Sequence, residues 1–480
     1  MGKTNKKHFE SLVEVMQKQT LLAHVSAVTD LLALDEFLHI CSQSPFNRGV
    51  FVYAYILELY RKSITERIIS NDLLYVVEPA LYKFQIAKED FPEETHIPDE
   101  SDLKISDEEK ELAPAAYYDR PWFGKLAEAY GLPEYVRKGY AIPVERIFDL
   151  YETRTITNTI KYQLNIIQDT FREIYGDHCY RTLIMKEEGE RLIKPKPPLY
   201  VMLPTIIYDN TIKKYVDLLF HLFSHEKKYI EREIVSNSHT ILLSFPLLVR
   251  ELYMDRQKEF EKQFDYFLKK MEKHSDLIRA VSIWNTNADT LDPRFLIKFI
   301  YKLRSNGISH ISFVTSDLTT IILFCIGIIN SVSIRFNYGL SRDPSKVAAP
   351  YAIPATFYVP LLHDFFSIST ADKLYNIIGW ICECPICSGK APSSLSYKEI
   401  IKHNVYSRLN ELEQFYNCKD EVDGIPEILK DDFNTIKEKR REIKKSVSRA
   451  SYDRINSRLE HIRKVAVFMQ DVVRLLKKQV

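Results

Sequence analysis

The amino-acid sequence predicts an α/β fold, with a (β/α) barrel-like domain between helical N-terminal and C-terminal extensions. Two observations predict this fold class. Short apolar runs rich in β-branched residues alternate with amphipathic stretches after residue 194, and the residues before that point show helical periodicity instead. Alternation of strands with helices at this spacing is typical of βαβ units and of a parallel sheet.

Residues 1–190 are predicted to form a helical N-terminal region. In LLAHVSAVTDLLALDEFLHI and in FVYAYILELYRKSITERII, apolar residues recur every three or four positions without sustained alternation. Residues 89–111 carry eleven acids against two lysines, with two prolines among them. This stretch is predicted to be a linker or a solvated loop, with an interaction role as the less favoured alternative.

Residues 195–415 are predicted to form the barrel-like domain. The predicted strands lie in YVMLPTIIY, TILLSF, IRAVSIW, ISHISFVT and SVSIRFN, and amphipathic stretches separate them. Five such units in succession favour a barrel over an open doubly wound sheet. Because chemistry in such barrels lies at the carboxyl ends of the strands, the positions of interest are Asp209, Trp284, Asn285, Asp317 and Asn337.

Residues 416–480 are predicted to form a basic helical C-terminal extension. From residue 437 onwards there are fourteen lysines or arginines and five acids. A docked helix with one apolar face and a basic outer face accounts for this pattern. The apolar face is Ile455, Leu459, Ile462, Ala466, Met469 and Val473.

Composition narrows the classes of function. The formal net charge is +1, so a site for a polyanion has to come from local clustering. Glycine occurs only 13 times without a clustered motif, which argues against a glycine-rich phosphate loop. Seven cysteines, an odd number, do not suggest a disulfide framework, and no apolar run is long enough for a bilayer. We therefore expect a soluble cytoplasmic protein that does not engage a membrane.

Three of the cysteines, in WICECPICSGK, form the pattern C-x-C-x-x-C. Thiolates from one turn can converge on a tetrahedral Zn²⁺ ion and leave one ligand to come from elsewhere. The sequence therefore predicts a zinc site made by Cys382, Cys384, Cys387 and His403, with Cys418 as the substitute for the histidine. Four protein ligands would make it a structural site. The alternative is three reduced cysteines in a buried loop.

The pattern C-x-C-x-x-C followed by a helix carrying HNVYSRLNEL resembles the end of the barrel in the tRNA-guanine transglycosylase superfamily. The order of elements in LIKFIYKLRSNGISHISFVTSDLTTIILFCIGIINSVSIRFNYGLSR also resembles that family, and the likeness covers roughly residues 198–415. The resemblance implies exchange of guanine for a 7-deazaguanine in nucleic acid, with a structural zinc. The long helical extensions and the short spacer to His403 favour the divergent branch that modifies DNA over the branch that modifies tRNA.

In this family an aspartate attacks C1′ of the sugar, guanine leaves, and the incoming 7-deazapurine displaces the enzyme, while a second aspartate handles the protons. In RFNYGLSR, Phe336 and Arg342 match the surroundings of the family's nucleophile, but Asn337 stands where the aspartate belongs. A neutral amide cannot supply the carboxylate of a glycosyl-enzyme ester.

Two acids could supply a carboxylate. Asp209, in IIYDN, could serve as a general acid/base or could cap the helix that follows, and Asp343, in SRDP, could replace the nucleophile or form a turn. Trp284 and Tyr338 could stack on a base, or could pack in the barrel core, with Asn285 and Arg342 beside them as binding residues.

Three functions therefore remain open. The first is an active transglycosylase acting on DNA or tRNA, with the basic C-terminal helix contacting phosphates. The second is a catalytically inactive relative that binds nucleic acid or serves as a partner subunit, with protein partners on its helical extensions. The third is an unrelated α/β scaffold with a zinc clip.

Overall fold

The computed structural model describes most of the chain. The described residues are 19–27, 29–41, 44–86, 112–143, 146, 150, 153–176, 184–186, 189–191, 195–205, 212–236, 242–249, 257–285, 293–314, 317–336, 356–419, 421 and 424–477. The acidic linker predicted at 89–111 lies outside them.

Eight parallel strands form one sheet that is nearly closed into a barrel. The strands are β1 Thr20–Val25, β2 Asn47–Tyr53, β3 Leu74–Glu78, β6 Val201–Met202, β7 Leu243–Val249, β8 Ile278–Asn285, β9 His310–Phe313 and β10 Ser331–Ile334. In space they follow the order β3–β2–β1–β10–β9–β8–β7–β6, so β10 pairs with β1, and β3 and β6 are the two ends of the sheet. At the remaining seam the Leu199 N–H donates to the Tyr75 carbonyl at 2.8 Å and the Tyr82 N–H donates to the Thr205 carbonyl at 3.1 Å. The prediction of a barrel-like α/β fold is confirmed.

Helices connect and surround the strands. The helices before the cysteine-rich stretch are α1 Asp30–Ile40, α2 Ala54–Ser70, α3 Phe123–Ala129, α4 Glu134–Arg137, α5 Thr155–Tyr175, α6 Ile212–Ser236, α7 Gln257–Glu272, α8 Pro293–Ser305, α9 Leu318–Cys325 and α10 Ile368–Ile378. Two antiparallel pairs lie outside the barrel sheet: β4 Ile184–Lys186 with β5 Gly189–Arg191, and β11 Thr356–Val359 with β12 Asp364–Ser367. None of the described helices combines the length and the apolar character that crossing a bilayer requires.

The first 190 residues differ from the prediction. They supply the three barrel strands β1, β2 and β3 as well as helices, so a helical N-terminal extension is not confirmed. Both faces of these strands are buried, because one faces the barrel interior and the other faces the surrounding helices. The sequences of such strands are continuous apolar runs, and hydrophobic periodicity cannot distinguish these runs from a buried helix.

The barrel interior is lined by polar side chains that pair with one another between strands. The pairs are His24 with Ser333 at 2.7 Å, His310 with Ser331 at 2.9 Å, Tyr200 with Ser312 at 2.8 Å and Ser244 with Ser282 at 2.7 Å. These groups are buried and need such partners, since a buried polar group without one is costly. The outward residues of the same strands, such as Val332 and Ile334, are apolar and buried.

A second, smaller core follows the barrel along the chain. It joins the β11–β12 pair, α10, the cysteine-rich loop and the C-terminal helices α11 Tyr397–Asn417, α12 Gly424–Glu438, α13 Arg440–Ser446 and α14 Arg449–Lys477. The predicted apolar face of α14 is buried at Ile455, Leu459, Ile462, Ala466 and Met469. This smaller core carries the predicted metal ligands.

Candidate metal centre and barrel mouth

The four predicted metal ligands come together in the structure. The ligand atoms of Cys382, Cys384, Cys387 and His403 all lie within 4.8 Å of one another, and all four side chains are buried. His403 Nδ1 is 3.6, 3.4 and 3.2 Å from the sulfurs of Cys382, Cys384 and Cys387 respectively. One metal ion could therefore bind three thiolates and one imidazole.

The backbone of the cysteine loop fixes where the sulfurs lie. The Ser388 and Gly389 N–H groups donate to the carbonyls of Cys384 and Cys382, at 3.0 and 3.2 Å. Ser388 and Gly389 both have positive φ, which turns the chain back towards Cys382. The Cys387 N–H points at the Cys384 sulfur at 3.2 Å, a contact that stabilises negative charge on that sulfur.

Helix α11 delivers the histidine. It begins with a capping box in which the Glu399 N–H donates to the Ser396 hydroxyl and the Ser396 N–H donates to the Glu399 carboxylate, at 3.3 and 2.8 Å. His403 lies one turn further on, and its ring stacks on Phe357 of β11 with 3.9 Å between ring centroids. The cap and the stacked ring together hold the imidazole over the cysteines.

The protonation of His403 suits a metal ligand. Its Nε2 lies 2.9 Å from the Tyr358 carbonyl, which can only accept, so the proton belongs on Nε2. Once Nδ1 is deprotonated, as metal binding requires, its lone pair is directed at the three sulfurs. A carbonyl that orients the second ring nitrogen is the usual support of a histidine ligand.

The electrostatics of the cluster agree with this arrangement. Contacts with Cys382 and Cys387 lower the pKa of the Cys384 thiol. Burial alone would lower the pKa of His403, but contacts with Cys382 and Cys384 raise it to about 9. The raised pKa of His403 reflects a proton that Nδ1 shares with the sulfurs; a metal ion would displace this proton and neutralise the negative charge on sulfur. The donor set fits a metal ion, and four protein ligands leave no open position for catalysis.

Cys418, the alternative fourth ligand, does not take part in the cluster. It is the C-cap residue of α11, half-buried, and lies at the far end of the helix from His403.

A buried network of charged side chains lies next to the metal centre. The Tyr358 hydroxyl donates to Glu411 at 2.7 Å, and the Arg408 guanidinium contacts the same carboxylate at 2.8 Å. His363 contacts Glu411 through Nδ1, while its Nε2 lies 3.2 Å from the Asp432 carboxylate. Because Tyr358 also accepts the His403 hydrogen bond through its carbonyl, the network and the metal centre share one residue of β11.

The mouth of the barrel, at the carboxyl ends of the strands, contains Trp284. Its ring centroid lies 6.2 Å from that of Phe51 and 6.3 Å from that of Tyr53. Both of these residues belong to β2, which is not a neighbour of β8 in the sheet, so the rings meet across the barrel interior. The indole is fully buried, and its Nε1 has no hydrogen-bond partner in the part of the chain that the structure describes. The Asn285 backbone ends β8 beside it.

The structure reports on few of the other predicted positions. Asp317 caps α9, because its carboxylate accepts the Thr320 N–H at 2.9 Å, which assigns it a structural role. The remaining predicted residues lie outside the described residues: Asp209, Asn337, Tyr338, Arg342 and Asp343.

Two charged residues near the barrel mouth were missed in the sequence. Glu78 ends β3, is fully buried and pairs in register with Tyr53. Lys83 follows it, is buried, and donates to the Tyr117 hydroxyl at 2.9 Å. The sequence signal for Glu78 is an acid directly after the apolar run LYVV. Because that run was predicted to lie in a helical region, the acid was not recognised as the end of a barrel strand.

Comparison with known proteins identifies no relative: no family model, no curated protein and no solved structure matches this chain. The functional argument therefore rests on the site and on the fold.

Proposed function

We propose that the protein exchanges guanine for a 7-deazaguanine derivative in nucleic acid, with DNA favoured over tRNA, and that the metal centre holds Zn²⁺. One observation carries the proposal: the Cys₃His cluster follows the last strand of an eight-stranded parallel barrel, which is the order expected from the resemblance to tRNA-guanine transglycosylases. The barrel would carry the reaction and the metal would hold the second core together.

Zinc is the metal that the donor set favours. Three thiolates and one imidazole are soft to borderline ligands, and tetrahedral sites of this composition are typical of structural zinc. The burial of all four ligands and the carbonyl that holds His403 support this assignment.

The base would bind in the barrel mouth. The rings of Trp284, Tyr53 and Phe51 are fully buried at this mouth, so a planar base would have to insert among them in order to stack. The Trp284 Nε1–H, which has no partner among the described residues, could donate to a purine carbonyl. Asn285 would lie beside the base, with Tyr338 and Arg342 as the further binding residues that the resemblance implies.

The carboxylates have to be found away from Asn337. In the proposed reaction a carboxylate attacks C1′, the C1′–N9 bond breaks and guanine takes up a proton; the 7-deazaguanine then loses a proton as it displaces the carboxylate. Asp209 and Asp343 remain the proposed carboxylates from the sequence, and Glu78 is added as a proton-handling candidate because of its burial at a strand end.

The substrate backbone would contact the basic surface of α13. Arg440, Arg441, Lys444 and Lys445 are exposed on this short helix, and phosphate contacts of this kind supply sequence-independent affinity.

The decisive experiment is incorporation of labelled 7-cyano-7-deazaguanine, and separately of labelled guanine, into duplex DNA and into bulk tRNA by zinc-loaded protein. Incorporation into one substrate supports the reaction and selects the branch. Asp209→Ala, Asp343→Ala and Glu78→Gln would then locate the carboxylates, and Asp119→Asn, at an exposed acid outside the barrel, is the matched control.

The second candidate function is a catalytically inactive nucleic-acid-binding subunit, favoured by Asn337 at the expected nucleophile position. It predicts no incorporation with either substrate, together with retention of nucleic acid on a filter. It also predicts that Asn337→Asp gains incorporation, because this substitution restores the carboxylate.

A further inference from the structure

An open groove of about 1130 Å³ lies in the second core, apart from the barrel interior. Its walls are the cysteine-rich loop, the turn after β11, the outer face of α11 and one side of α12. The proposed base-exchange reaction makes no use of this groove.

One wall of the groove presents apolar side chains to solvent. Ile381 is 61% exposed, the most exposed of the large apolar side chains of the described residues. It stands between Trp380 and Cys382, so the loop that is folded around the metal centre holds it in place. Leu361 and Ile428, both half-buried, add to this surface. An exposed apolar patch inside a groove is typical of an interaction site.

The other feature of the groove is its charge. Its lining includes four carboxylates and no lysine or arginine. Glu411 is already compensated by Arg408, and His363 lies between Glu411 and Asp432. Glu383 and Asp431 are exposed and form no ion pair with any residue that the structure describes. The groove therefore carries uncompensated negative charge beside its apolar wall.

We propose that this groove docks a basic, amphipathic segment of another protein. Apolar side chains of that segment would cover Ile381 and Trp380, and its lysines or arginines would face Glu383 and Asp431. Charge complementarity identifies the occupant, because the phosphates of nucleic acid would meet these carboxylates at a cost. The proposal does not depend on the base-exchange reaction.

Trp380 provides the measurement. The chain has three tryptophans; Trp122 and Trp284 are 5% and 0% exposed, whereas Trp380 lines the groove. Zinc-loaded full-length protein is titrated with a peptide of alternating leucine and lysine pairs, with a matched leucine–glutamate peptide and with short duplex DNA. We expect a saturable change in Trp380 fluorescence with the lysine peptide and with neither of the other two ligands. The change should be absent in Trp380→Phe, and added salt should weaken the binding of the lysine peptide.

Substitutions distinguish binding in this groove from non-specific electrostatic attraction between the peptide and the protein surface. Glu383→Gln with Asp431→Asn is expected to weaken binding of the lysine peptide roughly tenfold, and Ile381→Ser is expected to weaken it as well. The matched control, Asp119→Asn with Glu128→Gln, removes two exposed acids that do not line the groove and should leave the affinity unchanged. Metal content and melting temperature confirm that each variant is folded.

Three results would overturn the proposal. Equal binding by the groove variant and the control variant would show only general attraction. A Trp380 response to duplex DNA that competes with the peptide would assign the groove to nucleic acid. Self-association that Ile381→Ser abolishes, without any peptide response, would assign it to a second copy of this chain.

Discussion

At the scale of single residues, Cys387 gives the sharpest test of the metal centre. Its side chain is fully buried and its sulfur is 3.2 Å from His403 Nδ1. We expect Cys387→Ser to lose most of its bound metal and to melt at a much lower temperature, because structural zinc contributes on the order of 10 kcal/mol to folding. Metal released per chain, measured with a chromogenic chelator, and the melting temperature check this.

Cys418→Ser is the matched control for that substitution. Cys418 is half-buried at the end of α11 and outside the cluster, so the variant should keep its metal and lose less than about 1 kcal/mol of stability. Equal metal loss in the two variants would contradict the ligand set proposed here.

His363 predicts a pH dependence of stability. Burial lowers the pKa of His363, but contacts with Asp432 and Glu411 raise it to about 9, above the roughly 6.5 of an unfolded histidine. A raised pKa means that the stabilisation is fully present below about pH 6.5 and is lost as the pH rises through about 9. The difference is worth roughly 3 kcal/mol.

The variant His363→Asn isolates this contribution. Asparagine tolerates the positive φ of 51° at this position, so the backbone is preserved while the titrating group is removed. Urea unfolding of both proteins from about pH 6 to about pH 10 should show the stability of the wild type falling towards that of the variant. Parallel stability curves would contradict the assignment of the charge to His363.

At the scale of elements, the start of α11 connects local sequence to the metal centre. Ser396→Ala removes the acceptor for the Glu399 N–H and should cost about 1 kcal/mol in urea unfolding, because a capped helix end leaves fewer unsatisfied N–H groups. Ser393→Ala, an exposed serine just before this helix, is the matched control. If the two variants were equally stable, the capping box would not be holding the helix.

Elements were predictable from the sequence where the signal was local. The ligands Cys382, Cys384 and Cys387 are spaced for one turn, and the strands β6 to β10 stand between clear helical stretches, so both were found. In contrast, TLLAHV and GVFVY run directly into α1 and α2, and two-sided burial removed the alternation that marks a strand. Glu78 was missed for the same reason.

The contact that orients His403 was also not predictable. Its partner, the Tyr358 carbonyl, is 45 residues away along the chain, and no local sequence pattern encodes this contact.

At the scale of the whole molecule, the barrel joins distant parts of the chain. β1 pairs with both β2 and β10, and so links residues near the start of the chain to the strand that precedes the metal centre. The hydrophobic core of the barrel likewise includes residues from Leu21 to Val472. The chain should therefore unfold as a unit across residue 194, where the sequence predicts that the N-terminal region gives way to the barrel-like domain.

A fragment of residues 195–480 tests this directly. It would retain β6 to β10 but lose the partner of β10 and the strand that faces β6 at the seam, leaving two open sheet edges and an exposed interior. We expect it to aggregate or to lack a cooperative thermal transition when produced alone. Coexpression with residues 1–194 should restore a soluble complex that unfolds cooperatively, because the missing strands are supplied in trans. A cooperative transition of the fragment alone, with metal bound, would instead mean that β1 to β3 are dispensable and that the second half of the chain is a domain of its own.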